Sequence, residues 1–112
     1  MRITVLGGAG KMGCIAVQHL VNDPRVDEVV IADLNVEQAE EVAAMLASPK
    51  LSIRRTDLAD RDDLVNALRG SQSCQNATVY YTNLPVMAAC LEAGTSYVDL
   101  GGLFHTTRRQ LE

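Results

Sequence analysis

Four of the chain's eight glycines fall in one stretch, VLGGAGKMG, from Val5 to Gly13. A fixed glycine costs backbone entropy, so such a cluster needs a reason. Gly8, Gly10 and Gly13 fit G-x-G-x-x-G, and Gly7, Gly10 and Gly13 fit G-x-x-G-x-x-G. Either spacing, between a strand and a helix, suits a pyrophosphate. One glycine permits the tight turn, the next removes a side chain where the anion approaches, and the last lets helix and strand pack closely. Backbone N–H groups at the helix N-terminus then face the phosphates. A glycine-rich turn that binds nothing is the plain alternative. Lys11 lies inside the loop and could shield phosphate charge, but Met12 follows it, so the loop is not a G-x-x-x-x-G-K-[ST] phosphate loop.

Two carboxylates are placed to read the rest of a dinucleotide. Asp33 comes 20 residues after Gly13, where an acid can accept both hydroxyls of an adenine ribose. A helix-capping or solvent-facing aspartate is the ordinary reading. Asp57, in TDLAD, could accept from the adenine amino group or merely start a turn.

These residues require a particular scaffold. Ile3–Leu6 reads as a short buried strand, followed by Met12, Ile15, Ala16 and Leu20 at helical spacing. Glu28–Asp33 is a second strand. Asn35 can cap the next helix, with Gln38 completing a capping box and Val36, Ala39, Val42, Ala43 and Leu46 facing inward. Ser48-Pro49 stops that helix, and Leu51–Arg55 is a third strand. Asp60 can cap a helix burying Leu64, Val65 and Leu68, ended near Gly70. Ser73–Ala77 is a fourth strand, polar for a sheet covered on both faces. Asn83-Leu84-Pro85 opens a helix closed by Gly94, Tyr97–Leu100 is a fifth strand, and Thr106 begins another helical turn. The alternation predicts an α/β fold: a doubly wound, Rossmann-like parallel sheet of five strands in the order 3-2-1-4-5.

The remaining classes are narrowed by composition. A net charge of −4 and a pI near 5.1 argue against a nucleic-acid or anionic-membrane binder. No apolar run approaches the roughly 18 residues of a membrane helix, and no signal peptide is visible. Cys14, Cys74 and Cys90 are odd in number and widely spaced, without C-x-x-C. The reading is reduced thiols in a cytoplasmic protein, with no metal site.

In such a sheet the ligand crosses the carboxyl ends of strands one and four. The loop Thr78 to Thr82 should face the cofactor opposite the glycines, with Tyr80 and Tyr81 lining the cleft or packing inward. Gly101-Gly102 ends strand five, as a close-approach site or a plain turn.

VLGGAGKMG, IADLN and YYTNLPVMAACLEAGTSYVDLGG together resemble the N-terminal domain of the saccharopine dehydrogenase family over nearly the whole chain. That family includes saccharopine reductases, lysine dehydrogenases and carboxynorspermidine dehydrogenases. The resemblance implies an NAD(P)-dependent oxidoreductase acting at C–N bonds of amino acids or polyamine-like compounds. It implies that Gly8, Ala9, Gly10, Lys11 and Met12 hold the pyrophosphate, Asp33 the ribose, and Asn76, Ala77, Thr78 and Val79 the nicotinamide side. This chain departs from the family at Ser73-Cys74-Gln75, where an apolar strand is usual, and at Thr78-Val79, where Ala-Pro is usual. Family enzymes continue into a substrate domain, so residues 1–112 read as the excised dinucleotide-binding domain of a longer enzyme.

Two other readings remain open. The G-x-x-G-x-x-G spacing resembles the short-chain dehydrogenase and NmrA-like reductases, but Leu84, Pro85 and Gly101 stand where their Tyr-x-x-x-Lys lysine would follow Tyr80, Tyr81 and Tyr97. A regulatory domain could bind NAD and transmit a shape change without catalysis. Asp33 predicts NAD(H) as the preferred cofactor, with NADP(H) tolerated if Arg54 or Arg55 points toward it. A small amino-acid-like substrate belongs to the full-length enzyme, and a homodimer is compatible with the reading. No residue pair in the chain has the makings of a general acid and base; His105 and Arg108 could contribute only in a complete enzyme. The chain alone is predicted to be inactive, its catalytic residues unknown.

Overall fold

The computed structural model describes residues 1–77 and 83–99. The elements run β1 (Arg2–Leu6), α1 (Lys11–Val21), β2 (Glu28–Asp33), α2 (Val36–Leu46), β3 (Leu51–Arg55), α3 (Arg61–Leu68), β4 (Ser73–Asn76), α4 (Asn83–Ala93) and β5 (Ser96–Asp99). The five strands form one sheet in the order β3-β2-β1-β4-β5, every pairing parallel. This is the expected Rossmann-like order. The Thr106 turn, Leu100 and the Gly101-Gly102 pair lie outside the described residues.

Two apolar layers hold the sheet. On one face Ile3, Val5, Val29 and Ile31 meet Val17 of α1 and Ala39 and Val42 of α2. On the other, Leu6, Ala32 and Cys74 meet Leu64, Val65 and Leu68 of α3 and Val86, Ala89 and Cys90 of α4. Alternation along each central strand feeds both layers, which is why β1 and β2 are almost continuously apolar.

Helix α1 is rotated from the expected phase. Gly13 and Val17 are its buried residues, while Met12 and Ile15 are 55% and 47% exposed. The close approach of Gly13 to the loop before it sets this rotation, and apolar spacing alone could not. Helix α2 ends at Leu46, before Ser48-Pro49, because Ala47 turns into the left-handed region at φ 48°.

The polar strand β4 is central, paired to β1 and β5. Its residues alternate half-buried and buried. Cys74 and Asn76 face the α3–α4 layer, in register with Thr4 and Leu6 of β1. Ser73 and Gln75 face the other way and keep partial exposure, because α1 and α2 pack over β1, β2 and β3 instead. The expectation of equal cover on both faces is therefore corrected among the described residues.

Cys14, Cys74 and Cys90 are free thiols. The hydrogen bond that the Cys74 thiol donates to Cys90, and then burial, holds Cys74 well above its usual range. Among the described residues no helix is long and apolar enough to cross a membrane, and no cluster of His, Cys, Asp and Glu could hold a metal.

Candidate dinucleotide site

The glycine loop joins β1 to α1 at the carboxyl edge of the sheet. Its left-handed residue is Gly7, at φ 73°, rather than Gly8. The Gly7 N–H donates to the Ala32 carbonyl of β2 at 2.9 Å, and its own carbonyl accepts from Gly10 N–H at 2.9 Å. Gly8 is buried; a β-carbon there would lie 2.9 Å from Ile31 Cγ2. Gly13 packs directly on Gly7, where a β-carbon would come within 2.7 Å of the Gly7 carbonyl carbon and closer still to its oxygen. The loop therefore uses the Gly7, Gly10, Gly13 spacing for its turn, its open point and its close packing.

Gly10 is the open point. A β-carbon there would meet only the Gly7 carbonyl oxygen, at 3.3 Å. It is also the N-cap of α1, and it has no side chain to accept from the first turn. The N–H groups of Lys11, Met12 and Gly13 thus lack an intrahelical acceptor and point out beside open space. The helix dipole adds partial positive charge at the same place. Lys11 is exposed next to it. This edge fits a pyrophosphate. The Ala9 N–H donates to Asp33 Oδ2 at 3.1 Å, and its side chain is buried.

Asp33 ends β2, as expected, and lines a cavity of about 220 Å³ with Gly7, Ala32, Leu34, Thr56, Asp57 and Leu58. It also braces the loop. One carboxylate oxygen accepts from Ala9, and the other accepts from Asn35 N–H at 2.9 Å. The capping box at α2 is consequently half formed. Asn35 Oδ1 accepts from Gln38 N–H at 3.1 Å, but the Asn35 N–H goes to Asp33 instead of to Gln38. Each carboxylate oxygen retains a second lone pair for a ribose hydroxyl.

Asp57 lines the same cavity as Asp33. Its Oδ1 accepts from Ala59 N–H at 2.9 Å, so it does start a turn. Its own N–H donates to Asp63 Oδ2 at 2.8 Å. That bond, then the Arg54 guanidinium at 3.0 Å, holds the Asp63 carboxyl below the usual carboxylate range despite partial burial. Asp63 thereby fixes the loop that carries Asp57. Leu34, Thr56 and Leu58 were not singled out from sequence; their signal was their position directly beyond the ends of β2 and β3.

On the far side, Asn76 ends β4 and is buried, with its amide 3.4 Å from Tyr97 Oη. Ala77 N–H donates to the Leu6 carbonyl at 2.9 Å, which holds the start of the following loop against β1. Thr78, Val79, Tyr80 and Tyr81, and likewise His105 and Arg108, lie outside the described residues.

The chain is 29% identical over 101 residues to carboxyaminopropylagmatine dehydrogenase of Synechocystis sp., covering 88% of this chain and 25% of that protein. Its fold matches apo saccharopine dehydrogenase (L-Glu forming) from Saccharomyces cerevisiae at a TM-score of 0.79 and 18% identity, over 96% of this chain and 23% of that one. It also matches the Citrobacter sp. triphenylmethane reductase complexed with NADP(H), at a TM-score of 0.75 and 21% identity, over 93% of this chain and 38% of that one. The chain thus spans about a quarter of the length of the curated relative. Residues 3–110 match the saccharopine dehydrogenase NADP binding domain, and the chain belongs to that family of nicotinamide-dinucleotide-binding domains.

Proposed function

We propose that residues 1–112 are the N-terminal, cofactor-binding domain of a longer oxidoreductase acting at C–N bonds of amino-acid or polyamine-like substrates. The uncapped first turn of α1 beside the open Gly10 carries the reading, because it offers unpaired N–H groups where a diphosphate can reach them. The 29% identity to a carboxyaminopropylagmatine dehydrogenase supports the substrate class. Three free thiols accord with a cytoplasmic setting.

In this reading the N–H groups of Lys11, Met12 and Gly13 bind the pyrophosphate, with Lys11 adding charge. Asp33 accepts from the adenine ribose, and the free oxygen of Asp57 accepts from the adenine amino group. Asn76 to Val79 border the nicotinamide end. The bound dinucleotide supplies hydride transfer; the chain binds and orients it. The substrate and the acid–base groups belong to the rest of the enzyme, so the chain alone turns nothing over.

NAD(H) is the tighter ligand in this reading. Asp33 and Asp57 line one cavity, and a 2′-phosphate would add negative charge beside both. One like-charge contact near 4 Å costs roughly 4 kcal/mol at an effective dielectric of 20.

Gly10→Val tests the site. Its branched side chain would fill the phosphate space, while the extended backbone at φ −75° and ψ 173° accepts any residue. Calorimetric titration should show NAD(H) affinity falling at least about tenfold, or about 1.4 kcal/mol. The circular dichroism spectrum should be unchanged. Equal affinities for variant and parent would refute the assignment.

A further inference from the structure

We propose that Arg55 takes the 2′-phosphate of NADP(H) and so keeps this domain open to both dinucleotides; this rests on the dinucleotide reading above. Two adjacent arginines end β3, and strand alternation sends them to opposite faces. Arg54 faces α3. Its guanidinium lies 3.0 Å from Asp63 Oδ1 and donates to Thr56 Oγ1 at 3.2 Å. Its charge is consumed in fixing the loop after β3.

Arg55 faces the other way. It stands in register with Asp33, one strand away, in a ladder whose strands lie about 4.8 Å apart. Two residues back along each strand, Ile31 and Ile53 pack in the α1–α2 layer, so Asp33 and Arg55 leave the sheet on that same face. Arg55 is exposed, and among the described residues its guanidinium makes no hydrogen bond or close ion pair, acting on the Asp63 carboxylate only through its longer-range field.

Asp33 does not take up that charge. Both its oxygens are turned to backbone N–H groups, of Ala9 and of Asn35. An adenine ribose at Asp33 would direct a 2′-phosphate past the carboxylate toward the start of α2. There the Arg55 fork can bind it bidentately. Lys50, the other cation on this edge of the sheet, precedes β3 at its opposite end and donates to the Asp23 carbonyl. One residue therefore decides whether the repulsion from Asp33 excludes NADP(H) or only weakens it.

The test is calorimetric titration of the full-length protein with NAD⁺, NADP⁺, 5′-AMP and 2′,5′-ADP, for the parent, Arg55→Ala and Arg55→Lys. Arg55→Ala should weaken NADP⁺ and 2′,5′-ADP about tenfold or more, and leave NAD⁺ and 5′-AMP within about twofold. Arg55→Lys should retain part of the NADP⁺ affinity. Equal losses for both dinucleotides, or no loss for NADP⁺, would overturn the proposal. A parent that binds NAD⁺ but not NADP⁺ would also overturn it, and leave the dinucleotide site standing. A parent that binds neither would overturn both.

Discussion

Gly13→Ala adds one methyl group at the contact between α1 and the loop that feeds it. The new carbon would lie 2.7 Å from the Gly7 carbonyl carbon and 2.8 Å from Gly8 Cα. Comfortable carbon–carbon contact begins near 3.5 Å, so loop and helix must part by about 1 Å. Every obstructing atom is backbone, and the loop is itself tied to β2 through Gly7 N–H and to Asp33 through Ala9 N–H. No side chain can swing aside. Overpacking of this kind costs roughly 1–3 kcal/mol, and rigid surroundings favour the upper end. Alanine recovers about 1 kcal/mol over glycine as a helix former. The net expectation is a loss of about 2 kcal/mol, or roughly 8 °C in Tm for a domain of this size. Gly10→Ala is the control, because its added carbon meets a single carbonyl oxygen at 3.3 Å. It should cost less than about 1 kcal/mol, mostly from a poorer N-cap. Urea unfolding followed by circular dichroism would measure both. A Gly13→Ala variant as stable as the parent would refute the close-packing argument, as would a Gly10→Ala variant equally damaged.

Two further outcomes are expected. The folded Asp63 carboxyl titrates below its unfolded value of about 3.9, so its contribution is fully present above that pH and is lost as pH falls through the folded value. Asp63→Asn should cost about 1 kcal/mol at pH 7, since the pair is partly solvated, and should flatten the stability loss below about pH 4; an unchanged acid limb would contradict this. Hydrogen exchange read by mass spectrometry should show less protection over Ser73–Asn76, half-open on one face, than over Val29–Ala32, buried on both. Equal protection would mean that the partial cover over β4 costs its ladder nothing.

The sequence by itself determined the order and kind of elements, because the interactions that encode them are local. Apolar runs, the Asn35 and Asp60 caps and the glycines at 70 and 94 all act within a turn or two of their own position. Right-handed crossovers then left the 3-2-1-4-5 sheet as the consistent arrangement. The strand–glycine–helix junction and the acid closing β2 were equally legible, since both occupy fixed distances along the chain. Tertiary structure decided everything that depends on what lies across from a residue. It chose Gly7 over Gly8 for the turn, because the Gly7 N–H had to meet the Ala32 carbonyl of β2. It gave Asp33 a structural duty to Ala9, a residue 24 positions away. It admitted polar Ser73 and Gln75 to a central strand, because the helices left that face partly open. And it separated Arg54 from Arg55: alternation guarantees that two neighbours on a strand part company, but only pairing with β2 sets which one shares a face with Asp33.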